Sequence, residues 1–239
     1  MICPANKVGR VAFFGGSFDP PHQGHIAVAR AAQAALLLDA VLFCPVGSQP
    51  LKPHGSTAGF QDRLAMTELA IQGQPGFEIS LADAPTPDGS PNYTIDTLHR
   101  LRDQLPRTSE LFFLMGADSF HGLRQWRRSA EIPFAASLIV AARPGQELFD
   151  LAAVLPPGLS IKAEPAADRT RGEIDLRTYT LRNDAGATAL FYLLPGLDIE
   201  ISASEIRAQV RAALGRLCIG HELLPEPVCE YIATHNLYR

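Results

Sequence analysis

The chain has 239 residues, a formal net charge of −4, 46% hydrophobic and 19% charged residues, which is globular usage with apolar material for a core of its own. It lacks the basic excess of a nucleic-acid binder, and no stretch approaches the roughly 18 apolar residues of a membrane span, so neither nucleic acid nor membrane is an expected partner. The 19 glycines and 19 prolines lie well below disorder-prone usage. One domain over residues 1–239 is expected, with a surface excursion at 146–184 and a C-terminal helical part at 201–239. Cys3, Cys44, Cys218 and Cys229 form no C-x-x-C pair, and the N-terminal run MICPANKVGRVAFFGG is too short for a signal-peptide core and is interrupted by Arg10. A cytoplasmic, reduced protein is the expectation.

Val8 to Phe14 is a β-branched and aromatic run ending in Gly15-Gly16, which predicts a buried strand closed by a tight turn. His25 to Leu38 is rich in alanine and leucine without Gly or Pro, a helix pattern. The alternation continues with strands at Ala40 to Val46 and Phe77 to Leu81, and helices at Gln61 to Ile71 and Tyr93 to Leu105. Glu110 to Met115 and Ser137 to Arg143 follow as strands, separated by a helical pattern through Trp126. Near-continuous apolar strands alternating with helices predict an α/β fold, a doubly wound Rossmann-like parallel sheet with helices on both faces.

From Gln146 to Asp184 no period survives, and Glu164 to Gly172 reads as a mobile surface segment. Thr178 to Arg182 and Thr188 to Leu194 can alternatively form a hairpin around Asn-Asp-Ala-Gly, its second strand returning to the sheet. Ser202 followed by Glu205 is a capping box opening a helix from Ala203 to Leu214. Val228, Tyr231 and Ile232 share one face of a last helix.

Between the first strand and helix lies Gly15-Gly16-Ser17-Phe18-Asp19-Pro20-Pro21-His22-Gln23-Gly24-His25. Glycines admit close approach of a ligand to the backbone, and a helix start offers free N–H groups and a positive dipole end, which favour phosphate. The stretch is neither G-x-G-x-x-G nor G-x-x-x-x-G-K-[ST], so the dinucleotide and Walker patterns fail on residue identity. A lone histidine is most often a surface or core residue. Two of them three apart at a helix entry can both donate to one phosphoryl group. The stretch resembles the HxGH signature of the nucleotidyltransferase superfamily, in the fuller form carried by nicotinate-nucleotide adenylyltransferases.

Ile201 to Arg207 opens a second helix whose N–H groups, hydroxyls and arginine can converge on phosphate oxygens. It resembles the ISSTxIR signature of the same superfamily, with Ala203 and Ser204 in place of the commonest Ser-Thr pair. Ser90 to Leu98 is similar to the family's P-x-Y-T-x-x-T-L segment, which implies that Tyr93 and Thr94 hold the pyridine mononucleotide. Phe113 to Asp118 with Trp126 resembles the G-x-D and tryptophan segment, implying Gly116 and Asp118 near the adenosine and the indole stacked on the nicotinate ring. Ile139 to Gly145 resembles the strand ending in R-P-G, implying Arg143 near the nucleotide. Lys52 and His54 occupy the place of the P-P-H-K loop in changed order, with Lys52 a phosphate contact. The closing Leu-Pro, Val-x-x-Tyr-Ile and Leu-Tyr also match the family's end.

The resemblance implies adenylyl transfer from ATP to nicotinate mononucleotide with release of pyrophosphate, and Mg²⁺ bridging phosphates through substrate oxygens and water. It assigns His25 to the α-phosphate, His22 to neighbouring oxygens, and Ser202 and Arg207 to the departing end. Gly15, Gly16, Ser17, Gly116, Asp118, Arg143 and Ile201 complete the expected ATP site, and Lys52, Tyr93, Thr94 and Trp126 the mononucleotide site. Nicotinamide mononucleotide or phosphopantetheine as acceptor, and a non-catalytic nucleotide sensor on the same fold, stay open as alternatives. The residues do not distinguish acid from amide, nor monomer from homo-oligomer.

Overall fold

The protein is described by a computed structural model covering residues 9–51, 55–142, 151–162, 167–171, 174–194, 201–212 and 222–239. The alternation opens with β1 (Arg10–Gly16), α1 (Gln23–Leu36), β2 (Ala40–Pro45), α2 (Phe60–Ile71), β3 (Phe77–Ile79), α3 (Thr94–Gln104) and β4 (Glu110–Gly116). Then come α4 (Ala117–His121), α5 (Ile132–Ala135), β5 (Ser137–Ala141), α6 (Leu151–Val154), β6 (Leu159–Ile161), β7 (Ala167–Arg171), β8 (Ile174–Asn183), β9 (Thr188–Leu194), α7 (Ala203–Ala212) and α8 (Glu226–Thr234).

The sheet runs β3-β2-β1-β4-β5-β9-β8-β6, with β7 paired to β8. Its first six strands pair in parallel, whereas β8 is antiparallel to β9, β6 and β7. The predicted doubly wound α/β architecture is the one observed. Strand order reverses between β1 and β4, so their carboxyl ends diverge and leave the crevice where ligands enter such sheets. Gly16 and Gly116 stand at those two ends.

Alternation along β1 feeds two cores. Ala12 and Phe14 face α1, α2 and α8, meeting Ile26, Ala29, Met66 and Val228. Val11 and Phe13 face the other side with Ile95, Leu98, Leu101 and Phe120. Each fully buried Leu, Ile or Phe contributes about 1.5–3 kcal/mol, so a rigid floor underlies the crevice. Alanines at 29 and 32, fully buried, let α1 lie close on the sheet.

Three expectations change. Gly15 and Gly16 are the last residues of β1, in register with Cys44 and Pro45, and the chain turns instead at Phe18, whose φ is 47°. The helical pattern through Trp126 is broken: α4 ends at Gly122, and Trp126 is extended at φ −79°, ψ 150° between two single 3₁₀ turns, Leu123–Gln125 and Ser129–Glu131. Within 146–184, expected as a surface excursion, β8 is a ten-residue strand of the sheet with Leu176 and Leu181 buried, and the alternative hairpin of Thr178 to Arg182 with Thr188 to Leu194 is the one observed, β9 returning to pair with β5. The part expected as a mobile segment contributes residues 167–171 as β7, paired with β8, its remaining residues lying outside the described ones. Exposed Arg177 and Arg182 break the apolar pattern of β8, and cross-strand pairing with β9 supplies what local periodicity lacks.

Candidate active site

A cavity of about 760 Å³ opens over the ends of β1 and β4, and four of the segments that line it, distant in sequence, carry most of the expected site residues. Gly15, Gly16, Ser17, His22 and His25 come from the first. Tyr93 and Thr94 come from the start of α3; Gly116, Asp118 and Trp126 from the end of β4 and beyond; Ile201, Ser202 and Arg207 from the start of α7. Its size suits a small-molecule site. Lys52, His54 and Arg143 lie outside the described residues.

The histidine pair has a defined chemistry. His22 is the N-cap of α1 with an extended backbone, and its main-chain N–H donates to His25 Nδ1 at 3.1 Å. An imidazole nitrogen that accepts is unprotonated, so neutral His25 carries its proton on Nε2. The two rings lie 3.8 Å apart between centroids, and the edge of His25 meets Phe18 at 4.9 Å. Desolvation among these rings, and then the neighbouring His22, push His25 well below the usual histidine range. At neutral pH it is an uncharged N–H donor at the cavity wall.

The glycines serve two different ends. A Cβ on Gly15 would lie 2.6 Å from Phe13 Cζ, so that glycine makes room for the core. A Cβ on Gly116 would meet nothing within 4 Å, so that glycine keeps space open on the cavity side. Asp118 is exposed in the first turn of α4, and Ser17 Oγ donates to Gln49 Oε1 at 3.2 Å.

In the α7 segment, Ser202 caps the helix by accepting from the Glu205 N–H at 3.2 Å, so one expected half of the capping box is present. Arg207 Nη1 donates to the main-chain carbonyl of Asp19 at 2.7 Å and Nη2 to Ser204 Oγ at 3.1 Å, while its Nε is buried without a hydrogen-bond partner. Ser204, a departure from the family pattern, thereby keeps the hydroxyl that holds the arginine. At the other end, Trp126 is half-buried and packs on Phe113 with centroids 6.0 Å apart, and the Arg127 guanidinium lies 4.5 Å above the Tyr93 ring.

Sequence reading missed two residues that hold this arrangement. Buried Arg63 donates to the carbonyls of Ser17 at 2.7 Å, Val46 at 2.8 Å and Ala58 at 3.2 Å, tying the β1 loop to the end of β2. Buried Asp19 accepts from the N–H groups of Thr57 at 2.6 Å and Ala58 at 3.1 Å. Arg63 follows Asp62 on a helix and reads as one more surface charge; only its burial distinguishes it. Among the described residues no three His, Cys, Asp or Glu side chains cluster as a resident metal would require, and no helix is long and apolar enough to cross a membrane.

The sequence profile of the cytidylyltransferase-like family matches residues 13–209, which carry all four segments of the site. A protein of Thermomicrobium roseum named "Probable nicotinate-nucleotide adenylyltransferase" is 39% identical over 232 residues, covering 97% of this chain and 92% of its own. The chain belongs to the cytidylyltransferase-like family, in its nicotinate-nucleotide adenylyltransferase group. A protein of Pelobacter propionicus with the same name is 36% identical over 231 residues, covering 96% of this chain and 98% of its own. Among solved structures, the nicotinic acid mononucleotide adenylyltransferase of Plasmodium falciparum complexed with APC shares the fold at a TM-score of 0.63 and 15% identity, over 96% of this chain and 97% of that one. The same enzyme complexed with NaAD also superposes at 0.63, with 14% identity over the same shares of the two chains.

Proposed function

We propose that this protein is a nucleotidyltransferase that moves the adenylyl group of ATP to nicotinate mononucleotide, forming nicotinate adenine dinucleotide and pyrophosphate. The names of its relatives support the substrates. What supports the chemistry is His25, whose Nδ1 is held by the His22 N–H and which lines the same cavity as Arg207.

In the reaction an oxygen of the mononucleotide 5′-phosphate attacks the α-phosphorus of ATP in line, one P–O bond forms, and the bond to the β-phosphate breaks. No protein nucleophile and no obligatory proton transfer enter the balance, so catalysis rests on positioning and on donors aimed at developing charge. His25 donates to the α-phosphate oxygens and His22 to their neighbours. The start of α7 offers N–H groups to the same phosphates, whereas at the start of α1 the Gln23 N–H donates to the Leu223 carbonyl and the His25 N–H to that of His22, so there the side chains carry the contact. Ser202 and Arg207 receive the departing pyrophosphate, and Tyr93, Thr94 and Trp126 hold the pyridine nucleotide. Mg²⁺, if bound with ATP, would be held by substrate oxygens and water and would supply neutralisation of phosphate charge. That suits a site whose carboxylates are engaged by protein donors, as in Asp19, or exposed, as in Asp118.

The test is a coupled assay that follows pyrophosphate and dinucleotide together, with ATP and either the acid or the amide mononucleotide. Stoichiometric formation of both products with the acid form is expected. ATP binding without turnover on either mononucleotide would instead make the protein a nucleotide sensor.

A further inference from the structure

Tyr238, the penultimate residue, reaches back to the first loop. Its hydroxyl donates to Asp19 Oδ1 at 2.8 Å across 219 positions, and both residues are buried at 5% exposure. Burial first, and then the Asp19 carboxylate, hold the phenol well above its ordinary range, so it remains a donor. The same Asp19 takes the Thr57 and Ala58 N–H groups through its side chain and offers its main-chain carbonyl to Arg207 Nη1, which also lies 3.9 Å from Asp19 Oδ2. Two bulky residues flank this junction at positive φ, Phe18 at 47° and Tyr238 at 64°. Such conformations persist for aromatic residues only where the surroundings over-determine them. Here the Tyr238 ring is set in the same core as Phe18 and α8.

We propose that Tyr238 is a positioning residue for adenylyl transfer: through Asp19 it sets the carbonyl that Arg207 grips, and so fixes the guanidinium against the histidine pair. Without the phenol, the Asp19 carboxylate lacks one donor and turns toward the nearest remaining cation, Arg207 Nη1. The arginine then pairs with protein in place of phosphate. The effect falls on the phosphate end of the cavity and spares Trp126 and Tyr93, which lie on other segments.

This proposal rests on the adenylyl-transfer reading, and Tyr238→Phe tests it because the ring and its packing stay while the hydroxyl goes. Expected are a drop of about tenfold in kcat/KM for ATP, a similar weakening of pyrophosphate measured by calorimetry, and a KM for the mononucleotide within about twofold of wild type. The thermal midpoint stays close to that of the wild type. Unchanged ATP kinetics and pyrophosphate affinity in Tyr238→Phe would overturn the proposal, as would equal losses for both substrates with a collapsed midpoint, which mark a merely structural tyrosine. A wild type that binds pyrophosphate but releases none from ATP would defeat the adenylyl-transfer reading alone, and the pyrophosphate titration of the variant would still decide the role of Tyr238. A wild type that binds no pyrophosphate would overturn both.

Discussion

Arg207 donates to the main-chain carbonyl of Asp19 at 2.7 Å, a contact that joins positions 188 apart and brings two cavity-lining segments together. Arginine suits this place because one planar fork can hold the protein through Nη1 and Nη2 and still have N–H donors left for a phosphate. Arg207→Ala is expected to lower kcat/KM for ATP by on the order of 10² to 10³, comparable to loss of a preorganised donor. Arg207→Lys should recover only part, since an ammonium cannot reproduce the fork. Steady-state kinetics with ATP varied at saturating mononucleotide measure both. Equal kinetics for Lys and Arg would show that only charge matters.

His25→Ala is expected to reduce kcat by on the order of 10² to 10³ while circular dichroism stays that of the wild type. Near wild-type turnover in the folded variant would remove His25 from the mechanism.

The depressed His25 also has a pH signature. Its folded form resists protonation, whereas the unfolded chain takes up the proton near the ordinary value of 6.5. The neutral residue therefore costs nothing above that pH, and stability falls as pH drops below it. Histidine ring resonances followed by NMR should place the His25 midpoint below 6.5 in the free protein and raise it when an ATP analogue brings phosphate to Nε2. A midpoint at the ordinary value in the free protein would contradict the burial and tautomer described for it.

Trp126→Ala should weaken the mononucleotide by about 0.5–1.5 kcal/mol beyond the loss of buried area and leave ATP nearly unchanged. Calorimetric titration of each ligand separates the two. Parallel losses would point to a packing role against Phe113.

Arg63→Met leaves three inward-facing carbonyls, those of Ser17, Val46 and Ala58, without their donor. A cost of about 3–5 kcal/mol is expected, because buried acceptors without partners forfeit their solvation. Chemical denaturation checks this, and a change below about 1 kcal/mol would mean that water replaces the guanidinium.

By itself the sequence determined what local chemistry encodes. Apolar runs in β1, β2, β4 and β5 called for buried parallel strands, Ser202 marked the start of α7, and two histidines three apart after Gly15-Gly16 marked a wall of the cavity. These signals span a few residues, which is the range over which hydrophobic period, capping and turn preference act. Tertiary structure decided the rest. Thr178 to Arg182 and Thr188 to Leu194 marked the hairpin that β8 and β9 form, but the first residues of β8 show no period and became strand because β7 offered a partner. Trp126 follows helix-forming residues, yet its backbone is extended where Gly122 ends α4 and the indole packs on Phe113. Asp19 stood in the signature stretch without a role and Arg63 read as an ordinary charge, and only burial beside backbone groups from distant segments made them the supports of the site. A buried charge is tolerated only where several donors or acceptors converge on it, and that convergence arises from the folded chain rather than from any stretch of it.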